Sequence, residues 1–237
     1  MNDFKHIKDK SPLSNTTVVI MLVTYFVAYF WVIPLILYAI DDFIMPGFST
    51  NVTVDVILHT SLTLLFLFMG SKLFQESNNH WTKAAFYVPI LAAAFMIYGG
   101  ALLSQAAQSL SGQSDSLNQD YLFEMFKTHK ASMMVQAIIF APVVEEIIFR
   151  GVIYRHFKRS GRYLIPLIVS TLLFATMHSL NAIILQQWAD LWYIPVYAFM
   201  ALVLTYTYEK TQNLYSSIFL HCINNTISIV AMFLMVK

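Results

Sequence analysis

The chain has 237 residues and a formal net charge of +1; 58% of its residues are apolar and only 11% are charged. Soluble proteins carry roughly a quarter charged residues, so an autonomous soluble domain, a coiled coil and a disordered chain are all excluded, as is nucleic-acid binding, which needs basic runs this chain lacks. The single cysteine, Cys222, excludes an intrachain disulfide and any CxxC-type metal site.

If each crossing takes about 20 residues, the apolar content predicts an all-α polytopic membrane protein of about seven transmembrane helices. A polar stretch, MNDFKHIKDKSPLSN, precedes the first apolar run, which is too long for a signal-peptide core and reads as a retained span. The spans fall at about 16–40, 52–70, 84–103, 131–154, 163–180, 191–208 and 214–236. Between the third and fourth, 104–130 is the longest loop. Its start is polar and expected to be mobile; its end, DYLFEMFKTHK, is either an interfacial helix or an extended first turn of the next span. The chain thus divides into 1–130, three spans and an outer loop, and 131–237, a four-helix unit. No internal repeat supports a transporter built from two halves.

Orientation follows from lysine and arginine. With the N-terminus inside, the cytoplasmic side holds Lys5, Lys8, Lys10, Lys72, Lys83, Arg155, Lys158, Arg159, Arg162 and Lys210, against Lys127, Lys130 and Lys237 opposite. The expectation is N-in and C-out, in a bacterial plasma membrane.

Ionisable groups in a bilayer cost about 2.5–3.5 kcal/mol each even on the lenient insertion scale. The fourth span nevertheless carries Glu145, Glu146 and Arg150, the fifth His178, and the seventh His221, Asn224 and Asn225. Glu146 and Arg150 are four apart, share a helix face and can pair, whereas Glu145 is rotated by about 100° and points elsewhere. His221 and Asn225 also share a face, and Phe174 lies one turn from His178 as a packing partner. Counted from the basic helix ends at ~1.5 Å per residue, Glu145, Asn225 and His221 fall ~15, ~16 and ~10 Å deep and His178 ~22 Å. That places a common site on the cytoplasmic side of the midplane. Asp55 and His59, near the outer end of the second span, read as solvated. These parts suit amide hydrolysis: Glu145 with His178 can hold and deprotonate a water, and His221 with Asn225 can donate to the oxyanion. No serine or cysteine nucleophile arrangement is present.

At these residues the sequence resembles the CPBP family of intramembrane proteases (CAAX protease and bacteriocin-processing, or Abi), which includes the type II CAAX prenyl endopeptidases. The family pattern EExxxR, FxxxH, HxxxN reads here as Glu145 to Arg150, Phe174 to His178 and His221 to Asn225. The resemblance implies Glu145 and His178 as water activators, His221 and Asn225 as the oxyanion site, and Glu146 and Arg150 as support. It also implies a cavity open to the cytoplasm. Glu145, His178 and His221 could alternatively form a three-ligand zinc set, but the favoured mechanism uses no metal or other cofactor. The expected partners are membrane lipid and a membrane-associated peptide substrate, of the bacteriocin, signalling or CAAX-like class. The competing readings are a non-catalytic membrane scaffold or bacteriocin-immunity protein, and a proton-coupled transporter.

Overall fold

The computed structural model describes residues 11–159 and 162–235; Lys5, Lys8, Lys10 and Lys237 lie outside them. Six helices are long and apolar enough to cross a membrane: α1 (Asn15–Phe43), α2 (Val52–Met69), α4 (Lys83–Ser111), α6 (Lys130–Phe157), α9 (Trp188–Thr211) and α10 (Leu214–Met235). A seventh apolar helix, α7 (Leu164–His178), has 15 residues, ~22 Å at 1.5 Å per residue, and is continued by the short α8 (Leu180–Ile184). Two polar helices, α3 (Ser71–Asn78) and α5 (Leu117–Thr128), complete the fold. Among the described residues there are no strands, only one isolated bridge between Arg159 and Arg162. The outward faces are apolar: Phe86, Ile90, Leu91 and Phe95 on α4 and Ile165, Ile168 and Leu172 on α7 are all exposed. A soluble monomer does not expose apolar surface on that scale.

Helix starts follow local chemistry. Ser14, Asn51 and Ser116 are N-caps whose side-chain oxygens accept from Thr17, Thr53 and Gln119 backbone N–H groups. Helix α4 ends where Gly112 adopts a left-handed φ of 71°, the usual stop for a helix. It therefore runs through SQAAQSLS, which the sequence reading took as mobile loop: alanine, glutamine and leucine are good helix formers, and polarity alone does not break a helix. Helix α5 is a separate helix, not a first turn of α6.

Two of the spanning helices contain π segments. Helix α1 contains a π segment, Thr24–Val32, and α6 contains two, Gln136–Phe140 and Ile147–Tyr154. The first two lie just before Pro34 and Pro142; a proline ring clashes with the carbonyl four residues earlier, and the wider turn relieves it. In the third, Gly151 faces α3 so closely that a Cβ there would lie 2.5 Å from Leu73 Cδ1.

Hydrogen bonds tie the two ends of the bundle. At the end that carries the loop after α6, Arg155 donates to Glu76 at 2.8 Å, Lys158 to Glu209 at 2.6 Å, and Asn213 to the Ser77 carbonyl at 3.3 Å. Asn15 and His156 are 3.1 Å apart there, which places the start of α1 at this basic end. At the other end, Asp190 accepts from the Leu117 N–H at 2.7 Å, Ser116 and Tyr197 hydroxyls meet at 2.6 Å, and Tyr193 donates to the Gln113 carbonyl at 3.1 Å. The apolar core between them centres on Ile147, Phe149, Val152, Phe174 and Leu204.

Candidate active site

Helix α6 brings its two glutamates to different surroundings. Glu146 and Arg150 are both fully buried and joined at 2.7 Å, the pairing their spacing predicts. Arg150 also donates to the Ala201 carbonyl at 3.1 Å and lies 4.8 Å from the centre of the Phe174 ring. Glu146 takes a second bond on the same oxygen from His221 Nδ1 at 2.9 Å, and its other oxygen accepts from the Ser217 hydroxyl. Ser217, one turn before His221 on α10, has no place in the motifs.

Glu145 has the opposite character. Its side chain is 17% exposed, and its Oε2 is buried without a hydrogen-bond partner. His221 Nε2 is 3.9 Å from that oxygen, so His221 stands between the two carboxylates. Since Nδ1–H donates to Glu146, a neutral His221 presents an Nε2 lone pair toward Glu145, and only the imidazolium can donate from there.

His178, the last residue of α7, has Nδ1 3.0 Å from the Phe174 carbonyl. That contact requires Nδ1–H and leaves Nε2 as an acceptor. Its ring lies between Phe174 and Tyr197, at centroid distances of 4.3 and 4.8 Å. Phe174 is thus the shared packing surface of His178, Arg150 and, at 6.0 Å, His221. Asn225 donates to the Ala137 carbonyl at 2.8 Å, inside the first π segment of α6, and retains a second amide N–H. Asn224 lies on the other side of α10, lining a separate depression with Asp115 and Tyr197.

Glu145, His178, His221 and Asn225 line one cavity of about 290 Å³. Three more polar residues line it: His59, expected from the sequence to be solvated, and Tyr29 and Gln136, which the sequence does not single out. His59 is 12% exposed and bonded through Nδ1 to the Asp55 carbonyl at 2.9 Å and the Asp55 carboxylate at 3.1 Å, so it is held within the bundle and is not solvated. Its Nε2 meets Tyr29 Oη at 2.9 Å and Gln136 Nε2 at 2.7 Å. All three residues line the cavity. The hint was the i,i+4 spacing of Asp55 and His59; Tyr29 and Gln136 gave none.

The cavity runs toward the α5 end. Its lining includes Asn118, the exposed Tyr121, Leu122 and Met125 of α5 with Leu180 and Asn181, and from α6 only residues up to Glu145; the wholly buried run Ile147–Tyr154, which leads to the basic end, contributes none of it. The lining does not reach the basic end, where the sequence leads one to expect the mouth; counting from helix ends gives depth and not the direction in which a cavity opens.

The donor chemistry of Glu145, His178 and His221 suits zinc: with Nδ1 of the two histidines bonded to Glu146 and to the Phe174 carbonyl, both Nε2 atoms remain as possible ligands. Among the described residues, however, no three His, Cys, Asp or Glu side chains are grouped so as to hold an ion.

Fold and site together define a class: an integral membrane protein of helices enclosing a carboxylate–imidazole cluster in an intramembrane cavity. Residues 127–227 match the family model for Rce1-like, type II CAAX prenyl endopeptidase. The chain is similar to UPF0177 protein YvdC of Lactococcus lactis subsp. lactis (strain IL1403), 25% identical over 232 residues, covering 92% of this chain and 84% of that protein. UPF0177 protein YaiH of the same strain is 39% identical over 90 residues, 38% of this chain and 33% of that one. "Putative membrane peptidase YdiL" of Bacillus subtilis (strain 168) is 26% identical over 116 residues, 49% of this chain and 43% of that one. No solved structure matches the chain. These similarities fit a CPBP-family membrane protease, as the three motifs predict, and at family level they support an intramembrane protease.

Proposed function

We propose that the protein is an intramembrane endopeptidase that hydrolyses peptide bonds of membrane-associated peptides with a carboxylate-activated water. The observation that carries this reading is the Glu145 carboxylate, unpartnered at Oε2 within a cavity that His178, His221 and Asn225 also line. A buried acceptor without a partner is costly and asks for an explanation; a water held between Glu145 and His178 Nε2 supplies one. Glu145 takes a proton from that water as it attacks the carbonyl carbon. The oxyanion that forms is held by the second amide N–H of Asn225 and by Nε2–H of His221 in its charged form. The proton then passes to the departing amine. Glu146, held by Arg150 and Ser217, fixes the tautomer and orientation of His221, as a carboxylate fixes the histidine of a hydrolytic triad.

Zinc, if it entered, would be held by Glu145, His178 and His221 and would polarise the carbonyl. The absence, among the described residues, of three such side chains grouped around one point supports the metal-free reading. The lysine and arginine asymmetry favours a cytoplasmic N-terminus, and the similarity to proteins of Lactococcus lactis and Bacillus subtilis supports a bacterial plasma membrane. The substrate class we favour is a short amphipathic or lipid-bound peptide, of the bacteriocin or signalling type. The test is purification in detergent and incubation with such peptides, with mass spectrometry locating the cut. Cleavage by the native protein and none by Glu145→Gln at equal folding is expected. No cleavage of any membrane peptide by either leaves the scaffold reading in its place.

A further inference from the structure

The resemblance implies a cytoplasmic mouth, and the charge distribution implies a cytoplasmic N-terminus. On this structure the two exclude each other. The start of α1 and the loop after α6 share one end of the bundle, through the contacts of Asn15 with His156 and of Arg155 with Glu76. That end carries Lys72, Lys83, Arg155, Lys158, Arg159, Arg162 and Lys210. Among the described residues, Lys127 and Lys130 are the lysines at the other end, where α5 is anchored to Asp190 and Tyr197. The cavity lining reaches α5, where Tyr121 is exposed, and Leu180 and Asn181, and takes nothing from the buried run of α6 that leads to Arg155.

We infer that the cavity takes its substrate from the extracytoplasmic face of the membrane, between α5 and the residues that follow α7. Every short loop obeys the lysine and arginine bias, and reversing the chain would put the whole basic set outside. The rim favours an extended, mainly apolar peptide segment. Leu122, Met125 and Met133 offer adaptable apolar contacts, and the cavity is at the small end of ligand pockets, which span roughly 300–1,000 Å³. It has room for the residues around one peptide bond. The substrate class is thus a secreted or membrane-anchored peptide presented at the outer surface. The word substrate rests on the protease reading; the sidedness does not.

Cysteine accessibility in intact cells tests the sidedness without any substrate. Cys222 is the only cysteine, so Cys222→Ser gives a thiol-free parent, confirmed by its melting temperature. Into it go, singly, Ser114→Cys and Tyr121→Cys at the rim end and Gln75→Cys at the basic end, all at exposed positions. With a membrane-impermeant sulfonated maleimide, Ser114→Cys and Tyr121→Cys are expected to label in intact cells. Gln75→Cys should label only once the cells are permeabilised. The reverse pattern, labelling at both ends of intact cells, or a labelled Ser114→Cys beside an unlabelled Tyr121→Cys each overturns the inference. A reporter that works only outside the cytoplasm, fused after Lys237, checks the topology in the unmodified chain; inactivity there overturns it too. A peptidase with a cytoplasmic mouth would cleave peptide in detergent and fail these tests, so the two failures are distinct.

Discussion

Replacing Glu145 and Glu146 by glutamine should have opposite consequences, although the residues are adjacent and the chemical change is the same. Glu146 is fully buried and accepts from Arg150, His221 and Ser217. Glutamine keeps one acceptor oxygen but removes the charge that balances Arg150, itself 0% exposed. Breaking a buried pair by removing one partner costs about 3–5 kcal/mol, a large share of the roughly 5–15 kcal/mol that holds a typical protein together. The Ser217 hydroxyl can turn from donor to acceptor, so that bond adds little. Glu145→Gln removes no bond, because Oε2 makes none. An unpaired buried acceptor costs about 1–3 kcal/mol, so neutralising this one leaves stability unchanged or slightly raised. Thermal unfolding in detergent, followed by size-exclusion with fluorescence detection, should show Glu146→Gln melting well below the native protein and accumulating poorly. Glu145→Gln should melt at or above the native temperature and cleave nothing. Equal melting temperatures with equal loss of cleavage would refute the assignment of one glutamate to the scaffold and the other to the water.

Three further outcomes follow from the same geometry. Asn225→Ala should lower kcat by about 100- to 1,000-fold, the usual loss for one oxyanion donor, with KM nearly unchanged; a change confined to KM would move Asn225 from the transition state to substrate binding. Cleavage should survive exhaustive chelation, with elemental analysis finding no stoichiometric metal in active protein; zinc lost and regained together with activity, and missing from His221→Ala, would establish the metalloprotease instead. His59→Ala should raise KM more than it lowers kcat, since His59, Tyr29 and Gln136 line the cavity wall and His59 bonds to Tyr29 and Gln136, not to Glu145; an equal fall in kcat and kcat/KM would place them in the chemistry.

Much of the site could be read from spacing because an i,i+4 relation survives small changes in helix geometry. Glu146 and Arg150 pair across the junction between an α and a π segment, and His221 and Asn225 both reach the cavity from α10. The adjacent glutamates point apart as an ordinary α turn requires, since Ala141–Glu146 is itself α-helical. What spacing could not supply was partnership between helices distant in sequence. Tyr29, His59 and Gln136 come from α1, α2 and α6; only His59 has a neighbour at helical spacing, Asp55, and nothing in the sequence joins it to Tyr29 or Gln136. Ser217 was hidden for the same reason: a serine in an apolar helix is unremarkable until a buried carboxylate stands opposite. The mouth of the cavity was equally out of reach, because helix-end counting gives depth but not which end is plugged.

The two π segments of α6 explain why this one helix can hold so much of the site. Each admits an extra residue into the turn, and such bulges are frequent at functional positions. The first leaves the Ala137 carbonyl where Asn225 can bond to it; the second carries Arg150 back to Glu146 and on to the Ala201 carbonyl. Between them, the short α segment fixes Glu145 at the cavity wall and Glu146 in the core. Arg150 therefore acts on the water at two removes: it holds Glu146, Glu146 holds Nδ1 of His221, and His221 presents Nε2 toward Glu145. The motif EExxxR is, on this reading, one mechanical unit. Its arginine supplies the charge that lets two carboxylates share a dry site, and its first glutamate is the only member left with an oxygen to spare.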